Sequence, residues 1–358
     1  MLLSAAPAPA GSDLEWPLYR HDVRYTGASA GKGRITRPAV IWEYYLGPAR
    51  VGAVKSLVLR RAALHDLDAD GRPESVTASG RTLTVTSEDG QVLWKHEFEE
   101  DGFADCRLKV GDIIPERPGL EVACSSGHMD TGYGRAYLFG FDKGASQGQL
   151  LWATDDLKHQ YSPCLVLADV DGDGNKEIVL SPHYRVQVLD GRSGALKYEV
   201  PWEVGRNYGL LLAQNIDDDP GAEVIIVCDF VLHVDMLKFD DGHPRHLWGH
   251  RYIIPDQGGI REKFLHVGPA PLQDLDRDGR LELVYNLLNE HGDDQWHLVI
   301  RDAQSGQVRV DSAGWFLWGL DDFDGDGLWE IVCSRTNAKR PARFDKLRLL
   351  RLRHGWLG

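Results

Sequence analysis

The 358-residue sequence predicts an all-β chain assembled from one repeated, four-stranded antiparallel unit. Three observations carry this expectation: an acidic pattern that returns at near-regular intervals, strand-like runs that flank every copy, and chain ends that hold complementary fragments of one unit. The pattern reads DLDADGRPE from Asp66, DVDGDGNKE from Asp169, NIDDDPGAE from Asn215, DLDRDGRLE from Asp274 and DFDGDGLWE from Asp322. A sixth copy, DIIPERPGLE from Asp112, keeps its terminal Glu121 but has lost the alternating carboxylates and gained a residue. The starts lie 46, 57, 46, 59 and 48 residues apart, a spacing that suits four strands per repeat.

Within a repeat, strand A is a short apolar run such as CLVLAD or GLLLAQ, and the acidic loop joins it to strand B, as in EIVLS, EVIIV or ELVYN. Strand C alternates, as in VQVLD or HLVIRD. A turn such as SEDG, DGRSG, FDDG or DAQSG then leads to strand D, which carries Trp94, Trp152 or Trp248. The last repeat supplies A (WFLWGLDD), B (EIVCSR) and C (FDKLRLLRLRHG) without a convincing D strand. Near the N-terminus, AVIWEYYL places Trp42 where other D strands carry theirs, with no A to C strands before it. We therefore expect ring closure. Residues 39–46 complete the last blade of a six-bladed β-propeller spanning residues 16–358, residues 1–15 form a flexible tail, and no sheet edge is left open. Seven blades would require a continuation beyond Gly358, and an open array or two stacked sandwiches are the remaining alternatives.

Alternate Asp residues converge on one hard cation only if the chain turns sharply, which Gly71, Gly174, Gly279 and Gly327 permit. An EF-hand would need a Glu at loop position 12, where this chain has Thr77, Leu180, Ile226, Tyr285 and Cys333. Here the acid stands at position 9, as Glu74, Glu177, Glu223, Glu282 and Glu330. These loops resemble the FG-GAP or VCBS repeats of integrin-α-type β-propellers. The resemblance implies structural calcium at four to five sites, held by Asp66, Asp68, Asp70 and Glu74; Asp169, Asp171, Asp173 and Glu177; Asn215, Asp217, Asp219 and Glu223; Asp274, Asp276, Asp278 and Glu282; and Asp322, Asp324, Asp326 and Glu330. Asn215 and Pro220 weaken the third of these sets, and the Asp112 loop is expected to bind nothing. Nineteen of these ligand positions are carboxylates, which leaves 35 acidic against 40 basic residues elsewhere. Clusters this dense repel themselves unless a cation sits among them.

The net charge of -14 argues against a nucleic-acid partner, and no apolar window is long enough for a membrane span. Cys106, Cys124, Cys164, Cys228 and Cys333 form no metal or disulfide framework and are expected to be buried thiols. The segment MLLSAAPAPAGS lacks a basic n-region and a full apolar h-region and reads as a flexible tail or the remnant of a removed export signal. Extracellular or periplasmic residence is expected instead from the calcium loops, because millimolar calcium saturates modest sites there.

Propeller ligands usually bind on the face away from such hairpins. That face is expected to gather His128, His183, Tyr184, Arg206, Tyr208, Arg261, Lys263, His266 and His291 as candidates for chemistry, and Tyr133, His159, Tyr161 and Trp315 as candidates for ligand contact. Aromatic rings among cations and amides suit sugars, acidic polysaccharides above all. Recognition of carbohydrate is the first expectation, with a protein as the other candidate partner. The alternative is a polysaccharide lyase, in which Arg or Lys neutralises a uronate and His or Tyr removes its C5 proton. WPLYRHDVRYTGAS (16–29) and the Trp series also resemble quinoprotein-like propellers, which have more blades and longer chains. P-loop, HExxH and dinucleotide fingerprints are absent.

Overall fold

β-Branched and aromatic residues punctuated by Gly- and Asp-rich turns favour pleated strands joined by tight connections. The structure, a computed structural model, describes residues 62–79, 82–98, 107–126, 132–142, 147–158, 164–182, 184–201, 210–228, 233–251, 265–266, 270–288, 293–336, 344–353 and 356–357. Every pairing among the described strands is antiparallel.

Four sheets hold strands A to D in chain order. The first comprises Ala62–His65, Glu74–Ser79, Thr82–Thr86 and Val92–Glu97, and the second Arg107–Gly111, Glu121–Ser125, Ala136–Phe141 and Gly148–Ala153. The third comprises Cys164–Ala168, Glu177–Ser181, Arg185–Asp190 and Leu196–Pro201, and the fourth Leu210–Gln214, Glu223–Cys228, His233–Lys238 and Arg245–Arg251. In the fifth, strand A is in two pieces, Leu265–His266 and Leu272–Gln273, before Glu282–Leu288, Trp296–Asp302 and Val308–Ala313. The sixth has three described strands, Trp315–Asp321, Glu330–Thr336 and Phe344–Leu350, and the ribbon Leu352–Arg353 with Trp356–Leu357 follows it. Residues 1–15 and 39–46, expected to be the tail and the closing strand, lie outside the described residues.

The sheets stack face to face in sequence order. Neighbouring residues of one B strand serve opposite layers. Ile178 and Leu180 meet Leu138 of the second sheet, whereas Val179 between them meets Val224 and Ile226 of the fourth. Ile225 faces onward to Leu283 and Tyr285, and Val284 onward again to Leu317 and Ile331. Burial on both faces is why the B strands read as continuous apolar runs and not as alternations. The A strands of the first four sheets lie side by side, and the sixth sheet's A strand packs on the fifth sheet. Sheets fanned about their first strands are arranged as the blades of a β-propeller.

Three D-strand tryptophans each reach onto the following sheet. Trp152 donates its indole N–H to the Gly191 carbonyl at 3.0 Å, and Trp248 donates to the Ala303 carbonyl at 2.8 Å, both in the C–D turn of the following sheet. In each case a turn glycine lies under the ring: a Cβ at Gly194 would come within 2.6 Å of Trp152, and one at Gly306 within 2.5 Å of Trp248. Trp94 covers Gly148 in the same way, at 2.9 Å.

Gly194 has φ +73, so valine there combines backbone strain with a clash against the indole. We expect Gly194→Val to cost about 3 kcal/mol, of which ~1–2 is strain and the remainder overpacking. Gly242 has a similar φ of +74 and open space around it, so Gly242→Val should cost only the strain. Urea midpoints would separate the two, and equal shifts would mean that Trp152 yields freely.

Candidate metal centre

The six A–B hairpins are geometrically equivalent, because each loop Glu opens strand B opposite the last residue of strand A. The pairs are His65 with Glu74, Gly111 with Glu121, Ala168 with Glu177, Gln214 with Glu223, Gln273 with Glu282, and Asp321 with Glu330. Each Glu is buried. One of its oxygens accepts the N–H of the second loop residue, at 2.9–3.0 Å: Leu67, Ile113, Val170, Ile216, Leu275 or Phe323. The Asp at position 1 gathers the amides of the turn, as Asp66 does from Asp70 and Gly71, and Asp169 from Gly172, Asp173 and Gly174. Asp274 and Asp322 accept from Gly279 and Gly327. The Asp residues thus shape the loop before any ion is considered.

This curl brings acids together in five loops. Asp66, Asp68 and Asp70; Asp169, Asp171 and Glu177; Asp217, Asp219 and Glu223; Asp274, Asp276 and Glu282; and Asp322, Asp324 and Glu330 each offer oxygens within 4.8 Å of one another. Such clusters could hold metal ions. Burial raises the Glu74 carboxyl to about 7, and its neighbours Asp68, Asp70 and Asp66 add to the rise against the Leu67 amide. Burial likewise lifts Glu177 and Glu282 to about 7, with Lys197 and Arg309 opposing it. Asp171 Oδ1, Asp274 Oδ1, Asp276 Oδ1 and Asp322 Oδ1 are buried without a hydrogen-bond donor. Oxygens of this kind suit a hard cation.

The loop spellings do not reveal the basic side chains inside four of these clusters. Lys197 Nζ lies 2.5 Å from Asp171, 3.2 Å from Asp173 and 3.0 Å from Glu177. Lys238 Nζ reaches Asp217 at 2.6 Å and Glu223 at 2.8 Å, and also contacts Asp219. Arg309 contacts Asp276 at 2.5 Å, Asp278 at 3.9 Å and Glu282. Arg351 contacts Asp324, Asp326 and Glu330 at 2.7, 3.0 and 2.5 Å. Burial disfavours the charged forms of Lys197 and Lys238, yet their hydrogen bonds to the carboxylates prevail and hold both ammonium groups above the usual lysine range. Among the described residues no ion pair reaches Asp66, Asp70 or Glu74. In the other four loops a basic side chain already occupies the centre of the cluster.

The opposite ends of the strands face the other side. Of the residues expected there, Tyr184 is exposed with φ +64, and Tyr133 is half-buried with Arg135 over its ring at 5.3 Å. Trp315 belongs to the core between the fifth and sixth sheets, with the Arg335 guanidinium 3.8 Å from its ring centre. His266 lies on strand A of the fifth sheet, opposite Asn286. His128, His159, Tyr161, His183, Arg206, Tyr208, Arg261, Lys263 and His291 lie outside the described residues. Cys124, Cys164 and Cys333 are buried free thiols, as expected.

Two features at this end go beyond the residues singled out from the sequence. Arg107 donates to Cys164 Sγ at 2.7 Å, and burial lowers nearby Lys109 to about 8. His297 stands between Asp311, 2.6 Å from Nδ1, and Asp293, 2.9 Å from Nε2. Burial works against its charged form, but hydrogen bonds to the two carboxylates outweigh that and raise its pKa above the usual histidine value.

No protein-family model and no curated protein matches the chain. Among solved structures it is similar to Saccharomyces cerevisiae Sqt1, at 10% identity and TM-score 0.50, over 82% of this chain and 71% of that one. Weaker likenesses are to the exotype rhamnogalacturonan lyase YesX, at 18% identity and TM-score 0.43 over 77% of this chain and 59% of that one, and to the V. cholerae biofilm matrix protein Bap1. The latter has 17% identity and TM-score 0.42, over 72% of this chain and 41% of the matrix protein. The chain thus spans less than two thirds of either of those two proteins. At such identities the likeness is one of fold, and the fold is that of β-propeller proteins.

Among the described residues no helix is long and apolar enough to cross a membrane. The raised His297 pKa contributes stability fully below the unfolded value of about 6.5 and loses it as pH rises through the folded value. We expect His297→Gln to be less stable than the parent by ~1 kcal/mol at about pH 6, with the gap closing as the histidine deprotonates. Denaturation across that range would test this, and a gap independent of pH would show that the ion pairs contribute nothing.

Proposed function

We propose that the chain is a calcium-stapled six-bladed β-propeller of FG-GAP/VCBS type that works outside the cytoplasm and recognises carbohydrate on the face opposite its acidic hairpins. The observation carrying this reading is the segregation of charge: the hairpin register puts all the acid clusters at one end of the strands. The Arg-, Lys-, His- and Tyr-rich segments adjoin the other end, where an acidic polysaccharide would meet an attractive field. Calcium is assigned first to Asp66, Asp68, Asp70 and Glu74, where bound metal would neutralise the repelling carboxylates and stiffen the hairpin.

Closure by residues 39–46 belongs to the same proposal. Gly90 in the first sheet's C–D turn has φ +78 and matches Gly194 and Gly306 in turn position. By the interlock seen between the other sheets, Trp42 is the indole that would cover it, and the three described strands of the sixth sheet would gain their fourth.

Two outcomes are expected. Trp42→Ala should lower stability by ~3–5 kcal/mol, as removal of a buried tryptophan does, whereas an unchanged denaturation midpoint would refute closure by this segment. Uronate polysaccharides should retard the protein in affinity electrophoresis more than neutral ones do, and Arg206→Ala should weaken that binding about tenfold. A rise in ultraviolet absorbance from unsaturated ends during the incubation would replace recognition by lyase action, and no retardation by any glycan would reject carbohydrate as the ligand.

A further inference from the structure

The basic side chains in the acid clusters come from unrelated positions in the repeat. In the third and fifth sheets the cation is the bulged residue of strand D: Lys197 falls between Leu196 and Tyr198 at the register break, and Arg309 between Val308 and Val310. In the fourth sheet that bulge is Leu247, and the cation is Lys238 at the end of strand C. In the sixth it is Arg351, one residue beyond the Leu350–Ile331 pair and so at the place that Lys238 fills in the fourth. The third and fifth sheets carry Asp190 and Asp302 at this place, opposite the loop Glu. Even the degenerate second loop follows the rule, because Arg117 from within the loop lies 3.8 Å from Glu121, directly over Gly140. The charge is thus kept at one point in space while its source changes from sheet to sheet. The first sheet has no basic residue at any of these sources: its bulge is Leu93, Ser87 follows strand C, and Arg72 points outward to Glu88 at 3.6 Å.

In the full acid clusters this point is the one a metal would use. Lys197, Lys238 and Arg351 each touch the carboxylates at loop positions 3, 5 and 9, and Arg309 does the same with one longer contact. A calcium ion ligated by those oxygens would stand where the ammonium or guanidinium stands, and two cations cannot share one centre. We infer that Lys197, Lys238, Arg309 and Arg351 take calcium's place in their own loops, so that these four hairpins close without a metal ion. The inference deepens the calcium reading above by removing these four loops from it, and the test separates the two.

Chelator-stripped full-length protein is titrated with calcium by calorimetry, and melted with and without the ion. The expected result is no more than about one calcium per wild-type chain. Lys238→Met should bind one more, melt below wild type in chelator, and regain most of the loss in calcium, because the vacated carboxylates then need a counter-ion. Lys197→Met should behave alike at the third loop, where Asp171 Oδ1 already lacks a donor. Four or five calcium ions on the wild type would overturn the inference, since the side chains must then swing out, and this measurement decides even if neither variant folds. A folded variant that gains no ion would also overturn it. No calcium on wild type, with one on Lys238→Met, would reject the Asp66 site and leave the inference standing.

Discussion

A carboxylate buried at the mouth of every B strand needs a positive partner, and that constraint organises one whole face of the molecule. Glu74, Glu121, Glu177, Glu223, Glu282 and Glu330 all sit inside, each closing its hairpin through an amide two residues into the loop. One amide does not compensate a buried ion, still less one flanked by further aspartates. The chain meets this demand repeatedly with a lysine or arginine drawn from whichever neighbouring strand can reach. The hairpins are therefore electrostatic units of the same plan even where their spellings diverge, as in the Asp112 loop.

The loops also bind each other. Leu120 N–H donates to the Leu67 carbonyl and Ala222 N–H to the Asp169 carbonyl, both at 2.8 Å, so each turn rests on the preceding one. Pro220, which departs from the glycine of the other loops, packs against Gly172, where a Cβ would come within 2.8 Å. Arg192 extends the linkage with a paired contact to Glu116, at 2.7 and 2.8 Å. Further out, the tryptophans of the D strands perform the same task in apolar form, each seated on the next sheet's turn glycine. Adjacent sheets are thus joined at the acidic end, through a two-sided core, and at the outer edge.

Much of this was legible in the residues. The period of the acidic pattern marks the hairpins, the unbroken apolar B strands mark sheets covered on both faces, and the Trp series marks the strand that reaches the neighbouring blade. All three are local signals: a turn needs glycine, a doubly covered strand needs an apolar run, and a ring over a glycine needs no Cβ beneath it. Trp315 shows what local reasoning leaves open: its place in the chain adjoins the connections into strand A, and strand pairing sets its ring in the core beneath Arg335. His297 shows the reverse, an ordinary strand residue made notable only by Asp293 and Asp311 arriving from a turn and from strand D.

By itself, the amino-acid sequence determined the repeat, the antiparallel hairpins and the carboxylates at each loop, since every one of these depends on residues within a few positions of one another. Tertiary structure decided what neutralises those carboxylates. Lys197 and Arg309 enter from a bulge 28 and 35 residues past their loops' starts at Asp169 and Asp274, and Lys238 and Arg351 from the end of a different strand, so no fixed spacing announces them. Charge compensation acts through space and is indifferent to chain position. Only the folded sheet shows which lysine or arginine completes which loop, and that the Asp66 loop receives none on Asp66, Asp70 or Glu74 among the described residues.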